Sequence, residues 1–358
     1  MKNHFPGLNA LRFYAAISVL VQHVMYSPRD WFGVEPLPDT LGRLFINGTD
    51  AVHMFFVLSG FLITYLLLVE RERTQTVSVR QFYMRRILRI WPLYFMILLL
   101  AAFVLPLLIP GYQSRLSDPT FAFMMVFFMA NVAYALFYPF PPLEHLWSIA
   151  IEEQFYLVIP HLARCGANLL RLFIGIIVVW WAVLAAFSLM PDNFFSAIIS
   201  TMRYDCIAVG GVFACILYYE LPVLKWIYHP VAWGCALVAL AFMALFIQPT
   251  QNLPYTIFTC FVFGTLILNI ATNPWFPAKL AGRTFEYLGN LSYGIYMYHP
   301  LLLLVFFNAL YGKLDRDVYQ IVAYLAIMIL TIALSALSYR YFELPFLRLK
   351  ERFKPVHS

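Results

Sequence analysis

The sequence predicts an all-α, polytopic membrane protein with about ten transmembrane helices, one further short or re-entrant helix, and both termini in the cytoplasm. Of its 358 residues, 62% are hydrophobic and only 12% are charged, whereas about 25% of the residues of a soluble domain are charged. Apolar segments of helical length recur along the whole chain. Arginine and lysine are concentrated between these segments, which is the pattern that orients membrane helices.

The apolar segments number eleven. They lie near residues 8–27, 50–69, 86–109, 120–138, 146–163, 169–190, 203–219, 231–248, 254–272, 285–308 and 318–340. Six arginines within 70–90 and five basic residues within 340–358 place both stretches in the cytoplasm. Residues 24–49 carry two arginines against three acidic residues, so we expect them outside.

With eleven crossings, the two termini would lie on opposite sides of the membrane. The segment expected not to cross is 120–138, because it runs into the proline-rich FYPFPP (137–142). We predict a single membrane domain over 1–345 and a basic cytoplasmic tail over 346–358. The basic residues cluster at helix ends rather than on a polar surface, so the expected partner is the lipid bilayer and not nucleic acid. The cysteines form no CxxC pair, and no metal site is predicted.

The first segment, LNALRFYAAISVLVQH (8–23), carries two ionisable residues. Arg12 and His23 are eleven positions apart, close to three helical turns, so they share one face. Ionisable groups within a membrane helix are costly, which favours a functional interpretation. The alternative is an arginine near its interface and a histidine satisfied by a neighbouring helix.

The third segment opens with FYMRRILRIWPLY (82–94). Arg85, Arg86 and Arg89 occupy one arc of this helix at the cytoplasmic end. Three guanidinium groups in that position suit bidentate binding of phosphates. The alternative is positive-inside orientation combined with binding of anionic lipid.

The fifth segment begins EHLWSIAIEEQFY (144–156). Glu152 and Glu153 lie about two turns inside a membrane helix, where carboxylates face water, pair with a cation or transfer protons. His145, Glu152 and Tyr156 form one polar stripe, and Glu153 lies off it.

Other polar residues occur near helix ends or along single faces. Asp50 and His53 suit an interfacial position or a binding site, and Arg203 with Asp205 suits a structural ion pair. Ser292, Tyr296 and His299 recur at i, i+4 and i+7. The candidates for substrate contact are Asp50, His53, His145, Trp147, Tyr156, Arg203, Asp205, Ser292, Tyr296 and His299.

Taken together, these stretches resemble the acyltransferase 3 family of integral-membrane acyltransferases over nearly the whole chain. Arg12 and His23 in the first helix are followed by FFVLSGFLI, FYMRRILRIWPLY, HLWSIAIEEQFY, RYDCIAVGG, LSYGIYMYHPLLL and SYRYFELPFLR. The resemblance implies transfer of an acyl group, commonly acetyl from acetyl-CoA, to a hydroxyl of a glycan or small molecule. It also implies the bacterial cytoplasmic (inner) membrane, since many members modify surface polysaccharide outside it.

The family activity and the depths of these residues predict a mechanism. Arg85, Arg86 and Arg89, with Arg12 deeper, would hold the phosphates of acyl-CoA. His23 would act as the general base or accept the acyl group itself. Glu152 or Glu153 would orient the His23 imidazole. We favour direct transfer in a ternary complex, without a metal.

Two other classes remain open from the sequence. A proton-coupled carrier or flippase for an anionic or lipid-linked solute would use the same intramembrane histidine and glutamates. The second class is a structural membrane protein that acts as the partner of a polysaccharide synthase. Some family members carry a fused esterase-like domain, and here we expect the membrane domain to act alone or with a separate polysaccharide-assembly partner.

Overall fold

The computed structural model describes residues 5, 7–32, 44–190, 194–246, 252–276, 280, 282–310, 313 and 316–353. The regular secondary structure of these residues is entirely helical, without a β-strand, which confirms the predicted all-α class. Residues 33–43, within the stretch 24–49 that is expected outside, and residues 354–358 of the basic tail lie outside the described residues.

We number the helices of seven or more residues in chain order. They are α1 (Leu8–Phe32), α2 (Gly48–Thr74), α3 (Val79–Leu99), α4 (Pro119–Val126), α5 (Ala130–Phe137), α6 (Leu146–Arg164), α7 (Leu169–Ser188), α8 (Phe194–Thr201), α9 (Tyr204–Tyr218), α10 (Pro230–Phe246), α11 (Leu253–Thr272), α12 (Arg283–Leu310), α13 (Arg316–Ser338) and α14 (Leu344–Lys350). Two five-residue π-helical stretches interrupt this pattern: Leu100–Val104 follows α3, and Tyr339–Glu343 joins α13 to α14.

Eight helical stretches of the described chain are long and apolar enough to cross a membrane. They are Leu8–Ser27, Gly48–Thr74, Val79–Leu108, Leu169–Ser188, Phe195–Tyr218, Leu253–Thr272, Arg283–Leu310 and Ile321–Phe353. Two helices account for the difference from the ten predicted crossings. Helix α10 is apolar but has 17 residues, and α6 carries Glu152 and Glu153. The cytoplasmic position of both termini stays a prediction.

The segment 120–138, expected not to cross, forms the two short helices α4 and α5. Each has eight residues and is about 12 Å long, well short of a bilayer core of about 30 Å. Asp118 caps α4 by accepting hydrogen bonds from the backbone N–H groups of Thr120 and Phe121. The Tyr94 hydroxyl donates to the carbonyl oxygen of Met125 at 2.6 Å, which ties α4 to α3. Two short helices therefore stand where one short or re-entrant helix was predicted.

The chain folds into two compact units. The first comprises Met1–Ala15, Arg43–Val79 and Gln154–Asn290, and the second comprises Ala16–Gly42, Arg80–Glu153 and Leu291–Ser358. Four of the unit boundaries fall within helices, namely α1, α3, α6 and α12. The single domain expected over 1–345 stays a prediction.

In the first unit, α2 and α9 cross at two glycines. A Cβ atom on Gly60 would lie 1.9 Å from the carbonyl oxygen of Ile207, and one on Gly210 would lie 2.1 Å from that of Val57. Close packing through small residues drives association of membrane helices. The backbones touch here because neither residue has a side chain.

We expect Gly210→Ala to destabilise the protein by about 3 kcal/mol, the upper end for overpacking, because a backbone oxygen cannot move aside like a side chain. Thermal unfolding of the purified protein in detergent measures the effect as a lower Tm. Gly234→Ala on α10 is the matched control, because nothing lies within 4 Å of the added Cβ. Equal Tm values for the two variants would contradict the tight crossing.

Candidate functional site

Three histidines of the second unit lie together. They are His23 on α1, His299 on α12 and His145, the residue before α6. His23 Nδ1 and His299 Nε2 are 2.7 Å apart. The ring centroid of His299 lies 4.9 Å from that of His23 and 5.7 Å from that of His145. His299 and His145 are buried, whereas His23 remains partly exposed.

Hydrogen bonds assign the tautomers of His299 and His23. His299 Nδ1 lies 2.9 Å from the backbone carbonyl oxygen of Ile295, which can only accept, so this nitrogen carries the hydrogen. A buried imidazole is costly to charge, and in the neutral ring Nε2 of His299 is then an acceptor. His23 Nδ1 therefore donates to it. Nε2 of His23 is left with the lone pair that a general base needs.

Hydrogen bonds also hold His145. Its Nδ1 lies 3.1 Å from the carbonyl oxygen of Pro142, so this nitrogen carries the hydrogen. Its own carbonyl oxygen accepts hydrogen bonds from the hydroxyls of Tyr296 at 2.8 Å and Ser148 at 3.2 Å. Its Nε2 is buried and has no hydrogen-bond partner within the described part of the chain. Because the ring is buried, its charged form is unfavourable and the imidazole is neutral.

The predicted carboxylates lie on the same unit. Glu153 Oε2 accepts a hydrogen bond from Trp91 Nε1 at 2.8 Å, and its Oε1 is buried without a partner among the described residues. Glu152 is partly exposed. The position on Nδ1 of His23, which the sequence suggested for Glu152 or Glu153, belongs to His299.

Sequence reasoning missed Glu144 and Trp31. Glu144 Oε2 accepts a hydrogen bond from Trp31 Nε1 at 2.8 Å, and its Oε1 accepts one from the backbone N–H of Phe140 at 2.9 Å. These bonds fasten α1 to the turn that carries His145. The available signal was the charged residue directly before His145 in EHLW. In the same unit, the ring of Trp147 lies 6.3 Å from that of Tyr134, and Ser292 is buried.

The arginines of α3 lie in the second unit and are partly exposed. Arg85 Nη1 donates a hydrogen bond to the carbonyl oxygen of Phe353 at 2.8 Å, so the end of the described chain reaches this cluster. The Arg86 guanidinium lies 6.0 Å from the centre of the Phe82 ring. In the first unit, Arg12 Nη1 lies 3.3 Å from Asn9 Oδ1.

A buried ion pair lies in the first unit. Arg203 donates to both carboxylate oxygens of Asp205, from Nε at 3.1 Å and from Nη2 at 2.7 Å. Trp181 Nε1 also donates to Asp205, and Arg203 Nη1 reaches the Thr256 hydroxyl. The two charges therefore satisfy each other, which is the structural alternative considered from the sequence.

The remaining predicted residues of this unit make other contacts. Asp50 accepts hydrogen bonds from the Tyr255 hydroxyl at 2.5 Å and from Asn47. His53 Nδ1 lies 3.8 Å from Asp50 Oδ1 and has no hydrogen-bond partner among residues that the structure describes. The Tyr156 hydroxyl is hydrogen-bonded to that of Ser59.

A family model described as an acyltransferase domain matches residues 5–340. The chain belongs to this family. The resemblance to acyltransferase 3 proteins seen in the motifs is thereby confirmed. No solved structure matches the chain.

Among curated proteins, the O-acetyltransferase OatA of Staphylococcus aureus strain NCTC 8325 is 28% identical over 365 residues, covering 96% of this chain and 57% of OatA. OatA of strain MRSA252 matches to the same extent. The chain therefore spans a little over half the length of these relatives.

The arrangement of the histidine cluster is chemically capable of acting as a base. It presents a partly exposed imidazole whose free nitrogen can take a proton from a hydroxyl, with a second imidazole behind it to fix the tautomer. The described residues contain no group of three or more His, Cys, Asp or Glu side chains arranged to hold a metal ion.

Proposed function

We propose that the chain is a membrane O-acyltransferase that moves an acetyl group from acetyl-CoA to a hydroxyl of a glycan, such as a surface polysaccharide. The observation that carries this proposal is the 2.7 Å contact between His23 Nδ1 and His299 Nε2. It leaves His23 Nε2 as a base on a partly exposed side chain. The O-acetyltransferase relatives support acetyl as the transferred group.

In the proposed reaction, His23 Nε2 removes the proton of the acceptor hydroxyl as its oxygen attacks the thioester carbon. The tetrahedral intermediate collapses with cleavage of the carbon–sulfur bond. The proton on His23 then passes to the departing CoA sulfur, which restores the neutral imidazole. His299 accepts the Nδ1–H bond throughout and stabilises the transient imidazolium, as the third member of a triad does.

The donor site that we propose uses Arg85, Arg86 and Arg89 of the second unit, and Arg12 stays a candidate in the first unit. Guanidinium groups bind phosphates through paired N–H donors, and acyl-CoA carries several phosphates. Arg85 would exchange its contact with the Phe353 carbonyl for a phosphate oxygen. Acetyl-CoA enters here as a substrate.

We assign the other residues by their surroundings. Glu152 and Glu153 would balance the charge that develops on the histidine cluster, and Trp147 and Ser292 stay candidate acceptor contacts. Asp50, His53 and Tyr156 stay candidates in the first unit. Tyr296 holds the His145 backbone, so we assign it a positioning role. The proposed location is the bacterial cytoplasmic membrane, with a separate polysaccharide-assembly protein as partner.

Thiol release from acetyl-CoA by the purified protein in nanodiscs tests the proposal. It is measured with and without a crude cell-envelope glycan extract. A donor with a labelled acetyl group is used to measure transfer of the label to the glycan. We expect thiol release that depends on the extract, and we expect the amount of label in the glycan to equal the amount of thiol released. A carrier or flippase would release no thiol, and this result in the presence of extract would overturn the proposal.

A further inference from the structure

We propose that His145 is a second contact for the acceptor, and that it selects acceptors with another hydroxyl beside the one that is acylated. This inference rests on the proposed function and adds a chemical class to it. The class is a polyol such as a sugar ring, as opposed to a simple alcohol. The atom that carries the inference is Nε2 of His145.

The surroundings of His145 hold Nε2 in one place. The Nδ1–H group is engaged with the Pro142 carbonyl, and the backbone carbonyl of His145 is held by Tyr296 and Ser148. The hydroxyls of Tyr296 and Ser148 are themselves 2.7 Å apart. The Tyr296 ring packs against the imidazole with centroids 5.4 Å apart at 61°. Such fixation of a side chain is what a binding site requires of a specificity-determining group.

The chemistry of Nε2 restricts what it can bind. Because Nδ1 carries the hydrogen, Nε2 of the neutral ring can only accept a hydrogen bond. A buried acceptor without a partner is unfavourable, so a ligand that supplies a donor gains from meeting it. Hydroxyl and amide N–H groups are such donors, whereas ionised phosphates and carboxylates offer only acceptors.

The position of His145 points to the acceptor hydroxyl. The centroid of its ring lies 5.7 Å from the centroid of the His299 ring. The centroid of the His23 ring lies 4.9 Å from that of His299. Both neighbours of the buried His299 ring, His23 and His145, therefore carry a lone pair on Nε2. A polyol can place the reacting hydroxyl on His23 and a second hydroxyl on His145. The second hydroxyl keeps its proton, so no bond forms or breaks at His145.

Two ring alcohols that differ by one hydroxyl test this assignment. Thiol release from acetyl-CoA is measured with trans-1,2-cyclohexanediol, with cyclohexanol and with the envelope glycan extract. The proteins are wild type, His145→Leu, and His145→Gln, whose side-chain oxygen can still accept. His229→Gln is the control, because His229 is exposed in the first unit.

We expect wild type to favour the diol about tenfold or more in kcat/KM, the size expected for one hydrogen bond to a buried acceptor. His145→Leu should remove this preference through KM for the acceptor, with KM for acetyl-CoA unchanged, and His145→Gln should retain part of it. If neither ring alcohol is used, a higher KM for the glycan extract in His145→Leu is the supporting result.

Three results would overturn the inference. They are an unchanged acceptor KM in His145→Leu, an effect on KM for acetyl-CoA instead, and an equal loss of kcat with every acceptor. The second would assign Nε2 to an amide of the donor, and the third would assign His145 to catalysis or folding. Absence of thiol release by wild type with all three acceptors is a different outcome, since it refutes the proposed function itself.

Discussion

Replacement of His23 by alanine should lower kcat for thiol release about 10²–10⁴-fold, which is the contribution of a positioned general base. KM for acetyl-CoA should change little, because the proposed phosphate contacts are the arginines. Thiol release from acetyl-CoA in the presence of glycan extract measures the effect. The matched control is His229→Ala, which removes an exposed histidine.

The partner of His23 sharpens this test. In His299→Gln, the side-chain oxygen can still accept the Nδ1–H bond of His23, whereas His299→Leu leaves that hydrogen without an acceptor. We expect His299→Leu to lose about 10–100-fold in kcat, as removal of a group that orients another does, and His299→Gln to lose less. The pH profile of kcat should shift in His299→Leu, because its neighbour no longer stabilises the imidazolium of His23.

Either of two results would refute this role of His23. One is His23→Ala with kcat within a few-fold of wild type at an unchanged Tm. The other is equal activity in His299→Gln and His299→Leu across the pH range, which would separate His299 from the chemistry. Tm and gel-filtration behaviour in detergent establish that each variant is folded.

Loss of Arg203 should have the largest effect on stability. We expect Arg203→Leu to lower the free energy of unfolding by about 3–5 kcal/mol, because Asp205 is then a buried charge without its partner. Both side chains are nearly inaccessible, and the pair is bidentate at 2.7 and 3.1 Å. Thermal unfolding in detergent measures the change. Arg164→Leu, at an exposed position on α6, is the control and should leave Tm nearly unchanged.

The double variant Arg203→Leu/Asp205→Leu separates structure from substrate binding. Removal of both charges should recover much of the lost stability, since a buried pair can be replaced by apolar groups at little cost. A substrate-binding role would give the opposite pattern, with near-wild-type Tm in both variants and a raised KM for the acceptor. That pattern would contradict the structural assignment of the pair.

Much of the fold could be predicted from the sequence. Apolar length indicates which segments are membrane helices, because lipid leaves the backbone only helical hydrogen bonds within a segment. The proline-rich FYPFPP (137–142) correctly indicated that residues 120–138 do not form one spanning helix.

The sequence identified residues of the candidate site but not how they are arranged. His23, His145 and His299 each stood out because ionisable groups are rare inside membrane helices. The sequence did not show which of these histidines contact each other. Helical periodicity assigns a residue to a face of its own helix, but it does not say which helix packs against that face. The sequence therefore suggested Glu152 or Glu153 beside His23, by analogy with triads that use a carboxylate.

The sequence by itself determined the class of the protein, its helical segments and the residues worth testing. Only the tertiary structure decided that His299, 276 positions from His23, takes the Nδ1 hydrogen bond. It also decided that Arg203 is neutralised by Asp205, and that His145 Nε2 is buried without a hydrogen-bond partner in the described part of the chain. The physical reason is that composition and hydropathy act locally along the chain, whereas a hydrogen bond between helices depends on how distant segments pack.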